Sequence, residues 1–125
     1  MNIRKWWLRL PGVALLTGRG AKPDSATEAL DEGIVFLDAG DLDSAIVAFT
    51  EAIQINPGFA DAYNLRGWAY KEKDELDRAI ADLDEAIRLK PEDALAYNRR
   101  GLVYEMKGEI DQAALPSWLR ASSKD

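Results

Sequence analysis

Asp82, Asp84 and Glu85 place three carboxylates within four residues, and paired carboxylates can act as acid and base or hold a cation. Arg78 and Arg88 flank them at helical spacing, so the expected reading is a solvated, salt-bridged helix face and not a reactive site. The chain contains no histidine and no cysteine, which removes imidazole acid-base catalysis, thiol nucleophiles, thiolate metal sites and disulfides together. The glycine- and lysine-containing stretch GRGAKPDSA, residues 18 to 26, lacks the spacing of a phosphate-binding loop. The sequence therefore predicts no catalytic residue, no metal site and no cofactor, and excludes an enzyme from its expectations.

A second set of polar residues recurs. AYNLRG at residues 62 to 67 returns as AYNRRG at residues 96 to 101, an offset of 34 positions. Amide and guanidinium groups of this kind can bind a peptide backbone or a carboxylate, so the elements that carry them decide their role. Written as three lines, residues 26 to 59, 60 to 93 and 94 to 125 align without a gap. Residues 60 to 79 and 94 to 113 are identical at 11 of 20 positions. Such self-similarity marks a repeat architecture.

Each line reads as two helical stretches. In the second, Ala62, Tyr63, Ala69 and Tyr70 are spaced as one helix face. The polar KEKDELD follows, and then Ala79, Ile80, Leu83, Ala86 and Ile87 keep the i, i+3, i+4, i+7 rule. Pro57 and Pro91 end the second helices. Asp41 and Asp43, Glu75 and Asp77, and Glu109 and Asp111 sit where second helices should start and where acids favour the helix dipole. Gly33, Gly67 and Gly101, opposed by Ala45, Ala79 and Ala113, predict close helix approach in all three lines.

With these columns in place, the chain resembles the tetratricopeptide repeat (TPR) family, whose unit is a 34-residue helix-turn-helix. The glycine column is complete, and Phe36, Tyr70 and Tyr104 hold the aromatic column after it. Glu32, Arg66 and Arg100 stand where the family prefers leucine, and the arginines are expected to lay their stems over the hairpin with their charges exposed. The resemblance implies an all-α, right-handed α-solenoid of two complete repeats and one degenerate terminal repeat. The expected boundaries are repeats 26–59, 60–93 and 94–115 within a domain of residues 24–115, a leader at 1–23 and a frayed tail at 116–125. Pro116 should break the last helix near Leu115.

The resemblance also implies a concave groove lined by first helices. Projected onto this chain, it takes Leu30, Ile34 and Asp38 from the first repeat and Asp61, Asn64, Leu65 and Trp68 from the second. The third supplies Leu95, Asn98, Arg99, Leu102 and Met106. The implied function is a non-enzymatic scaffold that captures a peptide segment or helix of an unknown protein partner. Family members that clamp the acidic tails of heat-shock chaperones use Lys, Asn, Asn, Lys and Arg at five positions. Here these are Leu30, Ile34, Leu65, Leu95 and Arg99, so an acidic chaperone-tail peptide is not expected to bind.

Charge is divided unequally. Residues 1 to 22 carry Arg4, Lys5, Arg9, Arg19 and Lys22 without an acid, so a formal total of −6 leaves −11 on the rest of the chain. An acidic body repels phosphates, and no nucleic-acid partner is expected. The leader combines those bases with Trp6, Trp7, Leu8 and Leu10, interrupted by Pro11 and Gly12. Its interrupted apolar region is too short to span a bilayer, and cytoplasmic placement is the first expectation, with export or peripheral membrane contact through residues 1–22 as the alternative. The alternative function is a self-associating (homo-oligomeric) or membrane-attached structural module that uses the leader and the uncapped C-terminal face.

Overall fold

The computed structural model describes residues 25–113, with side chains described through residue 108. These residues form five helices and no strand: α1 (Ala26–Asp38), α2 (Leu42–Ile55), α3 (Ala60–Glu72), α4 (Leu76–Leu89) and α5 (Ala94–Ala113). Pairs α1/α2 and α3/α4 are hairpins. α2 packs on α3 and α4 on α5, so the hairpins stack into a short α-solenoid.

Local signals set the helix ends. Ser25 accepts a hydrogen bond from the Glu28 N–H at 3.1 Å, and Asp41 accepts one from the Ser44 N–H at 3.2 Å, each capping otherwise unpaired donors. The turns inside the hairpins use left-handed backbone at aligned positions, Gly40 with φ 80° and Asp74 with φ 62°. Asn56 and Lys90, each before a proline, leave the helical region at φ −133° and −139° and end α2 and α4.

The interior is built mainly from alanine. Ala29, Ala45, Ala52, Ala62, Ala69, Ala79 and Ala96 are fully buried, and Phe49, Leu83 and Val103 are the largest side chains sealed between helices. The glycine column explains how helices fit so closely. A Cβ on Gly33 would overlap the Phe49 ring, and one on Gly67 would lie 3.0 Å from Leu83 Cγ and 3.2 Å from the Ala79 carbonyl oxygen. The absence of that carbon lets each first helix seat the large apolar residue of its second helix.

The third line departs from its predecessors. α5 runs unbroken from Ala94 to Ala113, through Gly108, which aligns with Gly40 and Asp74 but has no left-handed φ. The expected turn is absent, and Glu109 and Asp111 lie inside the helix instead of at the start of a second one. Physically, reversal at Gly108 would gain little, because Pro116 and Ser117 stand where a packing helix needs a helix former and a large apolar side chain. Continuing the helix retains its backbone hydrogen bonds. Consistently, a Cβ on Gly101 would meet nothing within 4 Å among the described residues, so the close approach expected there does not occur among them. The predicted break near Leu115, the tail at 116–125 and the leader at 1–23 lie outside the described residues.

Two charged positions also differ from expectation. Asp82 is buried at 6% exposure, not solvated, and its two oxygens accept from Arg66 Nε and Nη2, both at 2.7 Å. Arg66 does not expose its charge. Its guanidinium also donates to Thr50 Oγ1 at 3.1 Å and lies near the Tyr63 and Tyr70 rings, and its pKa is raised chiefly by the Asp82 hydrogen bond against burial. This pair fastens α3 to α4 and reaches α2 of the preceding repeat. Glu85 with Arg88 forms an exposed pair, as the charge pattern implied, whereas Asp84 pairs with Arg100 of α5.

Thermal or urea unfolding tests the buried pair and the glycine column. Asp82→Ala should destabilise the protein by about 2–3 kcal/mol by stranding Arg66, whereas Arg66→Met with Asp82→Leu should cost less than that single change. Gly67→Ala should be destabilising. Gly101→Ala should stabilise by about 0.5–1 kcal/mol, since only helix propensity changes at an open position.

Candidate binding groove

α1, α3 and α5 lie in succession along the solenoid, with α1 touching α3 and α3 touching α5. A depression of about 350 Å3 lies across them. α1 contributes Leu30 and Ile34, α3 contributes Asp61, Asn64 and Leu65, and α5 contributes Leu95 and Arg99. Lys90 and Asp93 enter from the connection between α4 and α5. The five positions aligned with the chaperone-tail clamp, Leu30, Ile34, Leu65, Leu95 and Arg99, therefore converge on a single surface.

The polar floor is organised around Asn64. This residue is 3% exposed, its carboxamide oxygen accepts from Arg99 Nη1 at 2.7 Å, and its Nδ2 donates to Asp93 Oδ2 at 3.2 Å. Asp93 uses its other oxygen to accept from the Leu95 N–H at 3.0 Å, at the start of α5. Arg99 also lies over the Trp68 ring, 5.0 Å from its centroid, and Lys71 lies on the same ring at 4.1 Å. Burial lowers the Arg99 pKa, partly offset by Asp93, yet a guanidinium remains charged at every relevant pH. Arg99 thus enters the depression as a held, partly desolvated cation.

The predicted groove residues divide by location. Leu30, Ile34, Asp61, Asn64, Leu65, Leu95 and Arg99 line the depression. Asn64 is engaged with protein groups and holds Arg99 in place, and Trp68 backs the same guanidinium. Asn98, Leu102 and Asp38 are exposed and are not among the lining residues. Met106 packs on the core cluster of Leu76, Ala79, Leu83 and Val103, turned away from the groove. Sequence reasoning missed Lys90 and Asp93. Asp93 carried a readable signal, an acidic residue immediately before a helix start.

Among the described residues no group of three or more carboxylates, histidines or cysteines could hold a metal ion. No helix among them is long and apolar enough to cross a membrane.

Comparisons with known proteins agree with this geometry. A family model described as the TPR repeat matches residues 33–74 and 69–108. The crystal structure of MamA superimposes with a TM-score of 0.66 at 36% identity, covering 67% of this chain and 49% of that one. The TPR2B domain of yeast Sti1, solved as a complex with pHsp70, gives a TM-score of 0.66 at 32% identity over 70% of each chain. The second TPR of Spaghetti (RPAP3), bound to the HSP90 peptide SRMEEVD, gives 0.66 at 26% identity over 70% of this chain and 82% of that one. The chain spans about half the length of the MamA structures it matches. A search of curated proteins finds no match. The paired repeat matches, the 34-residue offset and the stacked hairpins together establish that this chain belongs to the tetratricopeptide repeat family.

Proposed function

We propose that this chain is a non-catalytic interaction module whose groove binds an extended, predominantly apolar peptide segment. The observation that carries this reading is the lining of the depression, where Leu30, Ile34, Leu65 and Leu95 surround one held cation, Arg99. Apolar side chains of a ligand gain by burial against the four aliphatic residues. Arg99 supplies orientation by donating from its remaining N–H groups to one carboxylate or backbone carbonyl oxygen of the ligand.

The same lining argues against a ligand rich in carboxylates. The RPAP3 and Sti1 neighbours were solved with chaperone-derived partners. In this chain four of the five corresponding positions hold Leu or Ile, which offer no hydrogen bond to a desolvated carboxylate. Asp61 and Asp93 add negative charge to the lining and offset Lys90 and Arg99.

A second reading, self-association, is favoured by α5. Tyr97, Leu102 and Tyr104 are exposed at 44%, 43% and 50%, beside the open Gly101. Light scattering coupled to size exclusion, over about a hundredfold range of protein concentration, separates the two. A concentration-dependent mass supports association, and a constant monomer mass removes it.

The groove reading is tested by fluorescence anisotropy with labelled ten-residue peptides, one leucine-rich and neutral, and with SRMEEVD. The leucine-rich probe should saturate, and Leu95→Asp should weaken it about tenfold without lowering the melting temperature, because Leu95 is half exposed and outside the core. Asn98→Ala should leave binding unchanged. Preferential binding of SRMEEVD, lost on Arg99→Ala, would overturn the proposed selectivity.

A further inference from the structure

The three columns that form the polar floor are chemically opposite one repeat earlier. Asn64, Asp93 and Arg99 sit where α3 meets α5, and the aligned residues where α1 meets α3 are Leu30, Phe59 and Leu65. Leu30 and Phe59 pack on the core cluster of Ala29, Ala52 and Ala62, and Leu65 lines the depression with Leu30. The groove is therefore apolar toward α1 and carries its polar network toward α5.

Hydrogen-bond chemistry gives that network one direction. Asp93 can only accept and uses both oxygens, one for the Leu95 N–H and one for Asn64 Nδ2. With its Nδ2 committed to Asp93, Asn64 must turn its carboxamide oxygen toward Arg99, whose Nη1 donates to it at 2.7 Å. The consequence for Arg99 is unusual. Among the described arginines, Arg66, Arg78, Arg88 and Arg100 each pair with a carboxylate, and Arg99 is held by a neutral group instead. The amide standing between Asp93 and Arg99 fixes the guanidinium without consuming its charge, and the Trp68 ring backs it.

We propose that Asp93 is a specificity-determining residue of the groove that acts through Asn64: it aims Arg99 without pairing with it, so that the α5 end receives one carboxylate of the ligand. This inference rests on the groove reading above and narrows its ligand to an apolar segment carrying one acidic side chain toward α5. Direct contact between Asp93 and Arg99 would neutralise the cation, as Asp82 does for Arg66 on the buried side. Loss of Asp93 would leave the Asn64 amide free to turn over and Arg99 unaimed. A carboxylate that meets this half-buried guanidinium forms a stronger hydrogen-bonded pair than one in open solvent. Further carboxylates on the ligand would face aliphatic lining or the Asp93 charge.

Two variants of the full chain separate aim from charge. Asp93→Ser keeps a cap for α5 but drops the link to Asn64. Removing a negative charge should by electrostatics alone favour an acidic ligand, whereas loss of aim predicts the reverse. Asn64→Asp combined with Asp93→Asn exchanges the two side chains at constant net charge. Every donor keeps an acceptor, but the carboxylate now touches Arg99 directly. Fluorescence anisotropy compares the neutral leucine-rich probe with the same peptide carrying one glutamate. Wild type should prefer the glutamate probe about tenfold, Asp93→Ser should lose most of that preference, and the exchanged variant should bind both within about twofold. In nitrogen-labelled protein without peptide, rotation of the Arg99 guanidinium about Nε–Cζ should be hindered in wild type and in the exchanged variant and fast in Asp93→Ser, with Arg99→Ala assigning the signal. Melting curves check folding, and Asp93→Ser decides alone if the exchanged variant does not fold. A glutamate preference that rises in Asp93→Ser or persists after the exchange would overturn the proposal. Unchanged guanidinium rotation in Asp93→Ser would overturn it too. Equal wild-type affinity for both probes would overturn it and leave the groove reading standing. Binding of neither probe would remove the groove reading and the specificity together, while faster rotation in Asp93→Ser would still support the positioning of Arg99 by Asp93.

Discussion

The fold depends on one steric constraint, the notch left by a missing Cβ on each first helix. At Gly33 the notch receives the Phe49 ring, and at Gly67 it receives Leu83 with the Ala79 backbone close behind. Because the helices approach that closely, alanine suffices for most of the remaining interior. At Gly101 no described side chain enters the notch, and the first helix continues as α5. Completeness of a repeat thus follows from whether its second helix can supply a large apolar residue at the right place.

That constraint also sets the groove. Seating Phe49 and Leu83 fixes the angle of each hairpin, and stacking then aligns α1, α3 and α5 with Leu30, Ile34, Leu65 and Leu95 on one surface. Two polar links tie the repeats at different depths. Arg66 with Asp82 and Thr50 joins the first two repeats on the buried side, and Asn64 with Asp93 and Arg99 joins the second and third beneath the groove. Neither link is strong evidence of stabilisation relative to an apolar replacement. Both fix register, since each has one geometry that satisfies its donors and acceptors.

Much of this was legible in the sequence. The 34-residue period, the glycine column and the prolines gave four of the five helices and the stacking, because each is a local rule repeated at fixed spacing. Less could be read where partners are distant in the chain. Arg66 and Asp82 are 16 residues apart, and a charged residue on a helix reads as solvated unless its neighbour across the hairpin is known. Asn64 read as a ligand group for the same reason, although its partners Asp93 and Arg99 lie 29 and 35 residues away. The unbroken run of α5 was hidden because Gly108 preserves the turn signal of Gly40, while the reason to turn, a packing residue further on, is missing. A local signal permits a turn; only tertiary packing compels it.

The central claim is that an apolar peptide lies across the first helices. Amide chemical-shift mapping of isotope-labelled protein during titration with a neutral, leucine-rich peptide tests it most directly. The account predicts saturable shifts at Leu30, Ile34, Leu65, Leu95 and Arg99, with Val47 and Tyr104 unmoved. Shifts confined to the α1/α2 surface around Val47 or to the exposed face of α5, with the groove amides silent, would contradict it.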